Sequence, residues 1–139
     1  MSKLYSRAKV RLHSAENNWK MRKEDDAYID VACFDLQQSI EFSLKALVEL
    51  HGESYAQNHD LRAQLNKLAK LNVNYDVFQK IAQNASTFNS WETESRYKDS
   101  FIALEKDVQL AIQISRELLA IVEKELNNTK IQSMNLFKD

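Results

Sequence analysis

The chain has 139 residues, one glycine and no proline, whereas average usage of about 7% and about 5% would supply roughly 17 of the two together. Only helices dispense with both. The single cysteine, Cys33, has no partner for an internal disulfide, and its apolar neighbours make it a small buried hydrophobe in a reducing compartment rather than a reactive thiol. The three histidines, at positions 13, 51 and 59, fall on different segments from one another, so no spacing suits zinc and no HExxH or Glu-x-x-His motif is present. A lone glycine cannot build a glycine-rich phosphate loop, and no nucleophile stands paired with a base. No cofactor or metal is expected. No run reaches the ~18 consecutive apolar residues of a membrane span, and Met1-Ser2-Lys3 leads into charged sequence without the apolar stretch of a secretory signal. The expectation is a cytoplasmic protein without membrane contact, in which the sequons Asn84-Ala85-Ser86 and Asn127-Asn128-Thr129 are chance features.

What is present is material for a core. Hydrophobic residues make up 44% of the chain, and one domain of this length buries about two-thirds of its unfolded surface. Charge nearly cancels at −1 but is segregated: residues 1–23 carry seven Lys/Arg against Glu16 alone, a net +6, and residues 24–60 carry nine Asp/Glu against Lys45 alone, a net −8. Either helix one lies beside an acidic helix two, or a basic face is left open for nucleic acid or an acidic partner.

Apolar periodicity predicts an all-α, mainly antiparallel, up-and-down bundle of about five helices over residues 1–127, with residues 128–139 as a tail or short helix. Helix one is predicted from about Lys3 to Met21 through Leu4, Ala8, Leu12, Ala15 and Trp19. Helix two starts at the acidic Glu24-Asp25-Asp26, which suits the dipole of a first turn, and stops at Gly52, where a left-handed cap needs no Cβ. It is the centre: Tyr28, Ala32, Leu36, Ile40, Leu44, Leu47 and Leu50 form a wide apolar arc, and Gln38, Glu41 and Lys45 a narrow polar stripe with Glu41 and Lys45 in the favourable i,i+4 order. Asp35, Ser39 and Ser43 form a second polar row inside the arc, facing another helix. The serines there are expected to bond back to the preceding turn, and Asp35 needs a buried partner such as Arg96. Asn58 or Asp60 caps helix three, whose inner face is Leu61, Leu65, Leu68 and Ala69. Helix four runs from about Asp76 to Ser95, packing Val77, Phe78, Ile81, Ala85 and Phe88 and leading to Trp91. Helix five spans about Phe101 to Asn127 with one stripe of Leu104, Val108, Ala111, Ile112, Leu119, Val122 and Leu126 and another of Leu110, Ile114 and Ile121. The second stripe calls for a cover, either the C-terminal Ile131, Met134, Leu136 and Phe137 or a second copy of the chain.

The run Gln38-Ser39-Ile40-Glu41-Phe42-Ser43-Leu44-Lys45-Ala46, the following Gly52, then His59-Asp60-Leu61 and later Arg96-Tyr97 resemble the HEPN family of small helical domains over roughly residues 24–125. Ser95-Arg96-Tyr97-Lys98-Asp99 is similar to the family's R-Y-P-D turn, with Lys98 where the proline would stand. The resemblance implies a module that binds a nucleotide, RNA or a partner protein, forms homodimers, and works with a minimal nucleotidyltransferase. The alternative it implies is a divergent, metal-independent ribonuclease toxin of a toxin–antitoxin pair. Family ribonucleases use R-x(4–6)-H in the second half of the domain, but after Arg96 those positions hold Phe101, Ile102 and Ala103, and no histidine follows Arg62 or Arg116 at that distance. Arg7 and His13 match only formally, in the first half, and an ideal helix separates them by about 120° and about 9 Å. No catalytic residue is therefore assigned. The candidate ligand site comprises Gln38, Glu41, Lys45, His59, Asp60, Arg96 and Tyr97, expected to converge at one end of the bundle. In the competing reading Glu41 and Lys45 merely pair, while His59, Asp60 and Arg96 fasten loops.

Overall fold

The computed structural model describes residues 2–136, and among them the only regular elements are five helices: α1 (Leu4–Lys20), α2 (Ala27–Leu50), α3 (Leu61–Lys70), α4 (Asp76–Tyr97) and α5 (Glu105–Leu136). Helix α2 touches all four others, and α1–α5, α4–α5 and α3–α4 contacts close a ring around it. Its Leu36, Ile40, Leu44 and Leu47 are fully buried. A helix that apolar is stable only when surrounded, so the other four arrange their single apolar stripes about it.

Chain reversals are made with few special residues. After α2, Gly52 takes φ 78°; its N–H donates to Glu49 O at 3.0 Å and that of Glu53 to Val48 O at 3.3 Å, the paired bonds of a Schellman cap. A Cβ on Gly52 would meet nothing within 4 Å, so φ alone selects glycine. With no other glycine available, Asn72 closes α3 in the same way at φ 60°, with bonds of 3.1 Å to Ala69 O and 3.0 Å from Val73 N to Leu68 O. At the start of α2 the Asp25 carboxylate accepts the Ala27 N–H at 2.9 Å, so the acidic run precedes the helix as its cap.

Helix α1 lies along α2, as charge segregation suggests, yet few charges pair across it. Arg11 meets Asp35 at 2.9 Å, while Arg22 and Glu16 turn to Glu105 and Arg116 on α5. Lys3, Arg7, Lys9 and Lys20 stay exposed without an ion pair among the described residues. A basic face therefore coexists with the helix contact. The partner of Asp35 is Arg11, joined by Ser14 and Asn18, and not Arg96, because α1 is the element that packs on that row. Ser39 donates to Ala8 O of α1 at 2.8 Å instead of to its own helix, and Ser43 has no partner among the described residues.

Three expectations about the second half are corrected. Helix α4 continues to Tyr97, so Arg96 and Tyr97 sit on its last turn, and α5 starts only at Glu105, leaving Leu104 55% exposed in the connecting loop. Helix α5 is 32 residues long and carries straight on past Asn127 to Leu136, with Ile131 and Met134 exposed rather than folded back. Phe137 and the side chain of Leu136 lie outside the described residues. The second stripe of α5 is covered by the chain itself: Ile114 is fully buried with Leu118, and Leu110 and Ile121 lie half-buried against the core. Because α5 fills the crevice between α1 and α4 across α2, it needs a wide arc, and the stripe is no argument for a second copy.

Cys33 is buried, which pushes its thiol far above the ordinary range and leaves it a core residue. No described helix is long and apolar enough to cross a membrane.

Candidate functional site

The polar stripe of α2 is built around Glu41, whose side chain is 1% exposed. Burying a carboxylate is costly unless donors replace its water. Three do so: Gln37 Nε2 at 3.0 Å and His59 Nδ1 at 3.0 Å on Oε1, and Lys45 Nζ at 3.2 Å on Oε2. Gln38 steadies Gln37 through a 2.6 Å bond, and the ammonium of Lys45 lies 4.9 Å from the centre of the Tyr55 ring. Charge-assisted bonds of this kind hold Glu41 and Lys45 in one geometry.

His59 reaches Glu41 because the α2–α3 loop is itself fixed. The buried amide of Gln64 accepts the Ala56 N–H at 3.1 Å and donates to the Ala56 carbonyl at 2.9 Å. Asp60 follows as the cap of α3: its Oδ1 accepts the Arg62 N–H at 3.0 Å and Asn89 Nδ2 at 2.8 Å, while Asn89 Oδ1 accepts the Leu61 N–H at 3.0 Å. Asp60 thus lashes α3 to α4. Between these anchors the imidazole of His59 remains 60% exposed, with Nε2 3.9 Å from Glu92 Oε1 on α4.

Glu92 Oε1 also accepts Arg96 Nη2 at 2.8 Å, and Arg96 Nε donates to the Glu92 carbonyl one turn earlier, also at 2.8 Å. The Arg96 guanidinium lies 4.4 Å from the centre of the Phe34 ring on α2, and that of Arg11 on α1 lies 5.4 Å from the same centre. Tyr97, 72% exposed, stands with its ring 5.0 Å from Arg96. An open groove of about 520 Å³, lined by Lys3, Ser6, Arg7, Val10, Arg11 and Phe42 among others, leads along α1 to this point.

Of the seven residues picked from sequence, Gln38, Glu41, Lys45, His59 and Arg96 join one chain of contacts running from Lys45 through Glu41, His59 and Glu92 to Arg96. Tyr97 attaches only by its ring. Asp60 adjoins the chain but bonds to α3 and α4. Sequence reasoning missed Gln37, Glu92, Phe34 and Arg11. The first two carried a signal, since Gln37–Glu41 and Glu92–Arg96 have the same i,i+4 spacing as Glu41–Lys45. Phe34 stands one turn before Gln38, on the line of the stripe. Arg11 carried none beyond its place in a basic run.

Chemically the surface combines three cations, Arg11, Lys45 and Arg96, with a carboxylate for each, Asp35, Glu41 and Glu92, and adds an exposed imidazole that can carry a proton. Among the described residues no three His, Cys, Asp or Glu are grouped to hold a metal ion. No curated protein and no solved structure matches the chain. The model of the HEPN domain, a family associated with nucleotide and RNA binding and with ribonuclease activity, matches residues 1–126, a span that includes α1 and every residue of the site; the chain belongs to the HEPN domain family.

Proposed function

We propose that the protein binds the phosphates of a nucleotide or RNA where α1, α2 and α4 meet, with Arg96 and Arg11 as the anion-binding groups. The observation that carries this reading is the pair of guanidinium groups over the Phe34 ring, their side chains 37% and 40% exposed. Arg11 uses Nη1 on Asp35, and Arg96 uses Nε and Nη2 on Glu92, so each keeps donors turned to no described acceptor. Lys3 and Arg7 extend the positive surface along the groove, and the exposed Tyr97 ring offers a face on which a base can stack. The test is fluorescence anisotropy with a labelled single-stranded RNA at low salt. Arg96→Ala is expected to lose about 1.5–3 kcal/mol of binding, the range of hydrogen bonds to charged groups, with an unchanged melting temperature. If the native protein binds neither RNA nor nucleotides at low salt, this reading fails and a protein-partner role is what remains.

A second reading, ribonuclease activity from a divergent site, is favoured by one observation. His59 is held through Nδ1 by a buried carboxylate while its other nitrogen faces outward, the arrangement of an oriented general base. Loss of RNA cleavage on His59→Ala, in a protein that cleaves, would support it. Homodimerisation and work with a small nucleotidyltransferase, as in a toxin–antitoxin pair, rest on family membership. The apolar surfaces available for either are the exposed Ile102 and Leu104 of the α4–α5 loop and Ile131 and Met134 at the end of α5.

A further inference from the structure

We propose that Glu92 is a resident anion that occupies the phosphate position, so that the site admits a terminal phosphate monoester in preference to the internal diesters of a strand. The inference rests on the phosphate-binding reading above and specifies its ligand. One oxygen, Glu92 Oε1, lies 2.8 Å from Arg96 Nη2 and 3.9 Å from His59 Nε2. Two outward-facing nitrogen donors from different elements, one on α4 and one on the α2–α3 loop, are thus aimed at a single oxygen.

The neighbouring pair on the same helix shows what an ordinary surface contact looks like. Glu94 meets Lys98 at 3.4 Å with the same i,i+4 spacing, but its side chain is 42% exposed and it has no further partner among the described residues. The Glu92 side chain is 18% exposed and is shared by two cationic or potentially cationic groups. An incoming phosphate oxygen that took the place of Glu92 Oε1 would meet Arg96 directly and His59 with a small shift of the ring. It must, however, displace a carboxylate already bonded there. A diester carries a single negative charge and offers little advantage over the carboxylate. A terminal monoester carries about −1.5 to −2 near neutral pH and three acceptor oxygens, enough to engage Arg96, His59 and the spare donors of Arg11 together. Glu92 therefore sets a threshold that only the more highly charged end group passes.

The experiment compares anisotropy titrations of one short uridine oligonucleotide with no terminal phosphate, with a 5′-phosphate and with a 3′-phosphate, and a longer unphosphorylated strand of matched total charge. A phosphorylated end is expected to bind about 10-fold tighter than the charge-matched strand, the gain of roughly one charge-assisted hydrogen bond. In Glu92→Gln the unphosphorylated strands should tighten and the preference disappear, whereas Glu94→Gln, the same change in net charge, should keep it. Equal binding of all probes by the native protein, weakened throughout by Arg96→Ala, would overturn the role of Glu92 and leave the phosphate-binding reading standing. Absence of binding by every probe would sink both. Because the native protein alone must discriminate, the outcome does not depend on the folding of any variant.

Discussion

Helix α2 carries two polar rows through otherwise apolar sequence, and they end differently. Asp35, Ser39 and Ser43 face α1, and their bonds finish there, on Arg11, Ser14, Asn18 and the carbonyl of Ala8. Gln38, Glu41 and Lys45, with Gln37, bond along their own helix and then leave it through His59, whose ring is open to solvent. Asp35 and Glu41 are 2% and 1% exposed, so burial does not separate a fastening from a site. What separates them is whether the network closes inside the fold or delivers a donor to the surface. The same test divides neighbours in sequence: Asp60 closes on α3 and α4, whereas His59 does not.

The comparison presupposes that both rows share one central helix, and Leu44→Asp tests that most severely. Leu44 is fully buried, and an unpaired buried carboxylate costs several kcal/mol against a total stability of about 5–15 kcal/mol. Loss of the helical circular dichroism signal is expected at room temperature. A melting temperature close to the native one would remove α2 from the centre and the comparison with it.

Periodicity and capping chemistry are local, and what they govern was legible in the sequence. They gave five helices, the central place of α2, the Gly52 cap, the Asp60 cap and the Glu41–Lys45 pair. Helical angle names the face a residue occupies but not the neighbour that face meets. Asp35 was therefore known to need a partner, while Arg11 could be identified only after α1 and α2 had been set side by side. The same holds for Phe34, recognisable as aromatic from sequence but as a seat for two guanidinium groups only in three dimensions. The second stripe of α5 looked surplus because the sequence does not say that this helix packs on three others at once.

Conservative substitutions in the two rows sharpen the distinction. Asp35→Asn weakens the pairing with Arg11 and Ser14, and Glu41→Gln leaves Lys45 buried without its counter-ion, so each is expected to cost about 1–3 kcal/mol in denaturant titrations. Stability should not tell them apart. The ring resonances of His59, followed by NMR through a pH titration, should: Glu41→Gln is expected to move the titration because it removes the charge on Nδ1, and Asp35→Asn to leave it in place. Equal movement in both variants would mean that the rows are coupled and that the first does not close at α1.

The smallest effect lies within the first row itself. Ser39 and Ser43 are both fully buried, one turn apart, yet the hydroxyl of Ser39 donates to Ala8 O at 2.8 Å and that of Ser43 has no partner among the described residues. Replacing a bonded hydroxyl leaves a buried carbonyl short of a donor, whereas replacing an unbonded one removes a group that had already lost its water. Ser39→Ala should therefore destabilise by about 1 kcal/mol, and Ser43→Ala should be neutral or stabilise by up to about 1 kcal/mol. Alanine changes little else, since it favours the helix interior and adds no volume to a tightly packed contact. Urea midpoints at constant m-value measure the difference. Equal costs for the two would show that Ser43 has a bonded partner, and the point where this row ends would have to be sought beyond α1.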